Sequence, residues 1–188
     1  MARRIRRGSP EYAALFDGFG QSAFRLETLQ HYAGEDEAEA LRAFLRGDAP
    51  PMYPGKESWT ARVRRAVAAG KSMQRVHLVR EPLTDYLRYE IGWSYGLNVA
   101  AGEDIRLLPA ADGQFPAGLG AAGDFWLFDS HALVRMNYDD AGQMTGAVLE
   151  KSPRAIALAN AWRDAALRAA TPYSDYVSWH EGQLQRAS

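Results

Sequence analysis

Met73-Gln-Arg-Val-His-Leu-Val-Arg80 is the stretch on which the fold turns. Val76, Leu78 and Val79 give it the composition and length of a strand. Pro82 follows as a first helical residue, and over residues 82–93 Leu83, Tyr86, Leu87, Ile91 and Trp93 make a broad apolar face with Glu90 close to it. Gly96 and a loop over 98–103 lead into a second apolar strand, Asp104-Ile-Arg-Leu-Leu-Pro109. Strand, helix and strand over this length form a βαβ unit, whose strands run parallel with a right-handed crossover.

Downstream, residues 110–123 are rich in Gly and Ala and long for a connection inside a compact domain. Such loops are usually functional or mobile, and the question this one poses is whether it closes over a pocket near Arg75 and His77. Asp124-Phe-Trp-Leu-Phe-Asp129 is apolar on both faces and is expected to be a central strand. Val134, Met136 and Tyr138 alternate with Arg135 and Asn137, turn residues occupy 139–143, and 144–150 returns as the antiparallel partner. Ser152-Pro153 opens a long helix with Leu158, Trp162, Ala165 and Ala169 on one stripe; Thr171-Pro172 ends it, and 173–188 has room for one more short helix.

Upstream the chain reads as helical. Short helices are expected over 10–16 and, with Ser22 as cap and Phe24, Leu26 and Leu29 for burial, over 22–29. A helix over 35–46 carries Glu35, Asp36, Glu37 and Glu39 in its first turn, where the dipole favours negative charge. A proline-rich loop over 48–55 separates it from a helix that Ser58 caps and Gly70 ends. The fold class is therefore α/β with a mixed sheet: a helical N-terminal third, the βαβ unit, antiparallel strands and a long C-terminal helix. Residues 10–188 are expected to be one domain behind a disordered basic arm over 1–9.

Composition narrows the chemistry. The 188 residues hold no cysteine, which removes disulfides, Cys-ligated metal and thiol nucleophiles. The 47% hydrophobic content is enough for a real core. The net charge of −1 conceals an arm carrying Arg3, Arg4, Arg6 and Arg7 and a body with 18 basic against 23 acidic groups. Nucleic acid contact, if made, falls to those four arginines; the plainer reading is a frayed terminus. No apolar run is long enough for a membrane span and no signal-peptide core follows the arm, so the cytoplasm is the expected compartment.

The candidate site lies around the βαβ unit. Arg75 and His77 on the strand, with Glu81 and Asp85 just past its end, put a base, a cation and two carboxylates where α/β sheets bind ligands. Glu103, Asp104 and Arg106 form a second group, in which Arg106 would join Arg75 as a clamp on a small anionic ligand. Each group also has a structural reading as surface ion pairs and helix-terminus charges. His77, Glu81 and Asp85 are the catalytic candidates of an enzyme reading. No metal site and no cofactor is expected: His31, His77, His131 and His180 are far apart in sequence, and Gly118-Leu-Gly120 with Gly123 precedes a strand rather than opening a helix.

Five blocks, Phe24-Arg-Leu-Glu-Thr-Leu29, Lys71-Ser-Met-Gln-Arg-Val-His77, Glu81-Pro-Leu-Thr-Asp-Tyr-Leu-Arg88, Asn98-Val-Ala-Ala-Gly-Glu-Asp-Ile-Arg106 and Gly123-Asp-Phe-Trp-Leu-Phe-Asp129, together resemble an actinobacterial family of unknown function. Its members are commonly encoded beside XRE-type helix-turn-helix regulators. The resemblance implies a non-enzymatic accessory or sensory protein that acts with such a regulator through protein or small-ligand binding. The alternative is an enzyme of specialised metabolism with an anion-binding acid–base site at Arg75, His77, Glu81 and Asp85. The element order over 73–169 is also similar to half of a phospholipase-D-like domain, whose His-x-Lys-x4-Asp motif carries phosphodiester chemistry. With Asp129 in the Asp place, the His and Lys places fall on Ala122 and Asp124, so the likeness implies a half without its nucleophile.

Overall fold

A computed structural model describes residues 2–6, 8–111, 114–116 and 118–184. In chain order, β1 (Arg3–Ile5) precedes α1 (Pro10–Gly18), β2 (Ser22–Glu27), α2 (Ala38–Leu45), α3 (Pro54–Ala68) and β3 (Ser72–Val79). Then come α4 (Asp85–Tyr89), a π-helical segment (Glu90–Ser94), α5 (Tyr95–Ala100), β4 (Asp104–Pro109) and a 3-10 turn (Leu119–Ala121). The chain continues through β5 (Phe125–Phe128), β6 (Ala132–Tyr138), β7 (Met144–Glu150), α6 (Pro153–Ala169), β8 (Thr171–Pro172), α7 (Tyr173–Trp179) and α8 (Glu181–Leu184). All eight strands join one mixed sheet in the order β1-β7-β6-β5-β2-β3-β4-β8, in which β2, β3 and β4 run parallel and the other pairings are antiparallel.

The βαβ unit and the β5–β6–β7 meander form as the sequence predicts. Side chains that alternate along the strands divide the core. Phe24, Leu26, Val76, Leu78, Phe125 and Leu127 face α6 and the 3-10 turn, packing on Ala159, Ala166 and Leu119. On the other face, Ala23, Met73, Trp126 and Phe128 pack under α1 and α3 at one end, while Ile105, Leu107 and Val79 pack under Leu87, Ile91, Tyr95 and Tyr176 at the other. Between these two apolar patches the same face carries charge. Each large side chain buried in the patches contributes about 1.5–3 kcal/mol, and together they frame the charged strip.

Four local expectations change. Residues 22–27 form the strand β2, not a helix, because Phe24 and Leu26 point to one face while Ala23, Arg25 and Glu27 point to the other. Both faces are covered, with Arg25 3% and Glu27 7% exposed, so the alternation that matters is apolar against paired charge rather than inside against outside. The arm does not fray over its described part. Arg3, Arg4 and Ile5 pair with Leu149, Val148 and Ala147, Ile5 is buried, and Arg3 pairs with Glu11; Arg7 lies outside the described residues. Helix α4 begins after Pro82, at Asp85, because the Thr84 hydroxyl accepts the Leu87 N–H and so caps it there. Helix α3 begins at Pro54, inside the expected loop and ahead of Ser58.

The described part of the Gly- and Ala-rich connection does not lie over the charged strip. Its described side chains Phe115, Leu119 and Ala122 pack with Phe125, Trp162 and Ala159 on the α6 side of the sheet. No helix among the described residues is long and apolar enough to cross a membrane. The π-helical segment is wedged from behind: a Cβ on Gly92 would lie 3.1 Å from the Leu184 carbonyl oxygen, and the Tyr173 hydroxyl donates to the Ile91 carbonyl at 2.9 Å.

Candidate functional site

Parallel pairing of β2 with β3 sets Arg25 beside Arg75 and Glu27 beside His77. Four charged or polar side chains on two neighbouring strands thus share the same face, and all four are buried. The Glu27 carboxylate answers both arginines through one oxygen: its Oε1 accepts from Arg75 Nη1 at 2.8 Å and Arg25 Nε at 3.3 Å. Arg75 Nε also donates to Glu103 at 2.9 Å, and Glu103 accepts from Trp59 Nε1 at 2.8 Å. Arg25 Nη2 donates to Asp124 at 2.6 Å and to the Tyr138 hydroxyl at 3.0 Å. Asp124 is further held by the Thr28 backbone and hydroxyl and by Tyr32. Arg25 lies over Trp126 and Arg75 over Trp59, so the strip is roofed by aromatic rings as well as paired.

His77 has no exposed surface. Its Nε2 lies 2.7 Å from the Leu29 carbonyl, which can only accept, so the ring proton sits on Nε2 and Nδ1 faces the carboxylates. The Tyr95 hydroxyl lies 2.6 Å from Nδ1 and 2.9 Å from Glu27 Oε2. Glu90 comes from the start of the π-helical segment, and its Oε2 lies 3.6 Å from Nδ1 with no hydrogen-bond partner among the described residues. Burial and the neighbouring Glu27 carboxylate push Glu90 up in pKa. Burial acts the same way on Glu27, but Arg75 and Arg25 outweigh it and hold that carboxyl well below the usual range.

Above this floor opens a cavity of about 770 Å³, a volume typical of small-molecule sites. Tyr32, Tyr53, Trp59, Tyr86, Trp126 and Tyr138 line its walls, while Arg25, Glu27, Arg75 and Glu90 reach it from below. Lys56 enters from α3 and donates to Ser94 Oγ at 2.6 Å and to Asn98 Oδ1 at 3.1 Å; burial lowers its pKa. Glu37 stands on the wall within 3.3 Å of the Tyr53 and Tyr86 hydroxyls, and burial together with the Glu90 charge raises its carboxyl to about 7. The cavity therefore presents aromatic surface, a carboxyl whose pKa burial raises and charges that are largely paired below.

The structure brings Arg75, His77 and Glu103 together and sends the other sequence candidates elsewhere. Glu81 accepts from Tyr176 at 3.3 Å and pairs with His180 at 3.0 Å at the far end of β3. Asp85 pairs with Arg88 one turn along α4. Arg106 is partnered in register by Val76, which puts it on the opposite face of the sheet from Arg75, where it pairs with Asp104 and the Leu167 carbonyl. The two-arginine anion clamp is thus not formed. Arg25, Glu27, Lys56, Glu37, Asp124 and Glu90 are the members that sequence reasoning left out. The signal for the first two was the period of two across Phe24 and Leu26. Asp129 is structural: with φ of 49°, it takes the backbone N–H groups of Gly20, Gln21 and Ser22.

A family model described as "Domain of unknown function (DUF6879)" matches residues 10–178. No curated protein matches the chain. Among solved structures, the crystal structure of a phospholipase D family member, Nuc from Salmonella typhimurium, is similar at 11% identity and a TM-score of 0.50, over 92% of this chain and 96% of that one. At that identity the likeness concerns the fold.

Proposed function

The chain belongs to the DUF6879 family, whose function is unknown, and from that premise we propose that it is a small-molecule-binding domain serving as sensory or accessory partner to a helix-turn-helix transcription regulator. The observation that carries the binding part is the cavity: a pocket of ligand size with aromatic walls over a floor of buried, mutually paired charges. A preformed pocket of this kind binds without rearrangement of its base. The floor arginines already spend their charge on Glu27, Glu103 and Asp124, whereas Glu37 on the wall has no basic partner within ion-pair distance among the described residues. The ligand that suits this balance is a planar organic molecule with an amine or other donor group rather than an anion. The regulator partnership rests on the family resemblance and its gene neighbourhood. The enzyme alternative required Arg75, His77, Glu81 and Asp85 around one pocket, and these four do not converge.

Trp59 and Trp126 in the wall supply the test. Titration with a panel of aromatic amines is expected to change tryptophan fluorescence saturably, more weakly in Glu37→Gln, and the purified regulator is expected to co-elute with the chain in a manner the bound amine alters. Absence of saturation across the panel would remove the ligand part, and failure of the purified proteins to associate would remove the regulator part.

A further inference from the structure

We infer that Glu27, His77 and Glu90 form a binding site for a divalent first-row metal cation in the floor of the cavity. The three residues come from β2, β3 and the π-helical segment, and one ligand atom of each lies within 4.8 Å of the others. Nδ1 of His77 is 3.7 Å from Glu27 Oε2 and 3.6 Å from Glu90 Oε2. Bonds of about 2.1 Å in a tetrahedral site separate ligand atoms by about 3.4 Å, so these three atoms already stand near ligand spacing. Histidine spacing in the sequence spoke against a metal, but only one histidine is used and the carboxylates arrive from distant elements.

Proton bookkeeping supports the same assignment. Nδ1, Glu27 Oε2 and Glu90 Oε2 are three acceptors in one buried place, and the Tyr95 hydroxyl has a single proton to offer them. The remaining proton of His77 is committed to the Leu29 carbonyl, the arrangement that orients metal-bound imidazoles. Glu27 uses its other oxygen for the arginines, which leaves Oε2 for the site. Glu90 Oε2 is the atom without a donor, on a side chain 9% exposed. A buried carboxylate oxygen without a partner is costly, and a cation removes the cost. Four carboxylates among the buried residues, Glu27, Glu90, Glu103 and Asp124, face three cations, Arg25, Lys56 and Arg75, so added positive charge is tolerated. Both Glu27 and Glu90 border the cavity, which provides the path in. Tyr95 now occupies the middle of the group and must swing aside or join as an oxygen ligand. One nitrogen and two carboxylate oxygens suit zinc, manganese or iron(II), and do not suit the all-oxygen preference of calcium.

The inference stands independently of the organic ligand, since it concerns groups below it. Its test uses the full chain stripped with a chelator and titrated with Co²⁺ and Zn²⁺ alone. The expected result is one equivalent bound, with visible absorption of a low-symmetry Co²⁺ site and a higher melting temperature. Glu90→Gln is expected to lower affinity by about tenfold or more without lowering the melting temperature of the metal-free protein, because Glu90 Oε2 accepts no hydrogen bond among the described residues. Tyr95→Phe is expected to retain the metal. No stoichiometric binding, or equal affinity in Glu90→Gln, overturns the site even if His77 variants fail to fold.

Discussion

At the level of single residues, Arg75 is the one whose loss propagates furthest. It neutralises Glu27 and Glu103 simultaneously, and both carboxylates are buried. Arg75→Met leaves Glu103 without its cation and Glu27 with Arg25 alone, and the expected loss is about 3–5 kcal/mol, read as a lower midpoint in urea unfolding. Replacing a surface arginine such as Arg42, whose partner Glu39 is exposed, is expected to cost less than about 1 kcal/mol in the same assay. Arg75, His77 and Glu103 were legible in the sequence because they lie on or beside an evident strand. Glu90 was visible as a charge near an apolar face, but its meaning needed Glu27 beside it. Lys56 had no signal: an isolated lysine at a helix start looks the same whether it faces water or Ser94 and Asn98.

At the level of elements, the hairpin between β6 and β7 fixes one wall of the cavity. Gly142 adopts φ of 79°, and a Cβ there would fall 2.6 Å from the His31 carbonyl oxygen. Its own carbonyl accepts from Ala33, tying the hairpin to the segment that carries Tyr32. Gly142→Ala is therefore expected to cost at least about 1–2 kcal/mol of backbone strain and to speed amide exchange around residues 31–34. Removing residues 1–5 deletes β1 and uncovers the side chains under Ile5, and a loss of about 1.5–3 kcal/mol in thermal or urea unfolding is expected. Helices α1 and α6 were legible from Ser9-Pro10 and Ser152-Pro153, whose hydroxyls cap them. Strand β2 was not, because Ser22 reads as a helix cap and the charges of Arg25 and Glu27 read as exposed positions, which hides the period of two. Only a partner strand with its own charges in register makes them interior residues.

For the molecule as a whole, pH acts on stability in two opposed ways. Glu37 binds its proton more tightly when folded, at about 7 against an ordinary value of about 4.3. Its contribution is complete below the ordinary value and is lost as pH rises through 7. Glu27, held low by arginine, contributes above the ordinary carboxylate range and loses that contribution as acid protonates it. Melting temperature is therefore expected to decline between about pH 5 and pH 8, and Glu37→Gln to flatten that decline. The mixed sheet as a class was legible from the βαβ unit and the meander, but its strand order was not. With β2 unrecognised, nothing joined the parallel half to the antiparallel half, and the charged strip forms at that junction.

Gly92 gives the cavity a second end. Glu90 meets the cavity two residues before it, and behind it the Leu184 carbonyl oxygen would lie only 3.1 Å from a methyl group on Gly92. Well-packed interiors hardly compress, so the position of Glu90 is tied to how closely α8 packs on the π-helical segment. The backbone beneath Glu90 and the helix that carries the buried Leu184 are thereby packed as one piece.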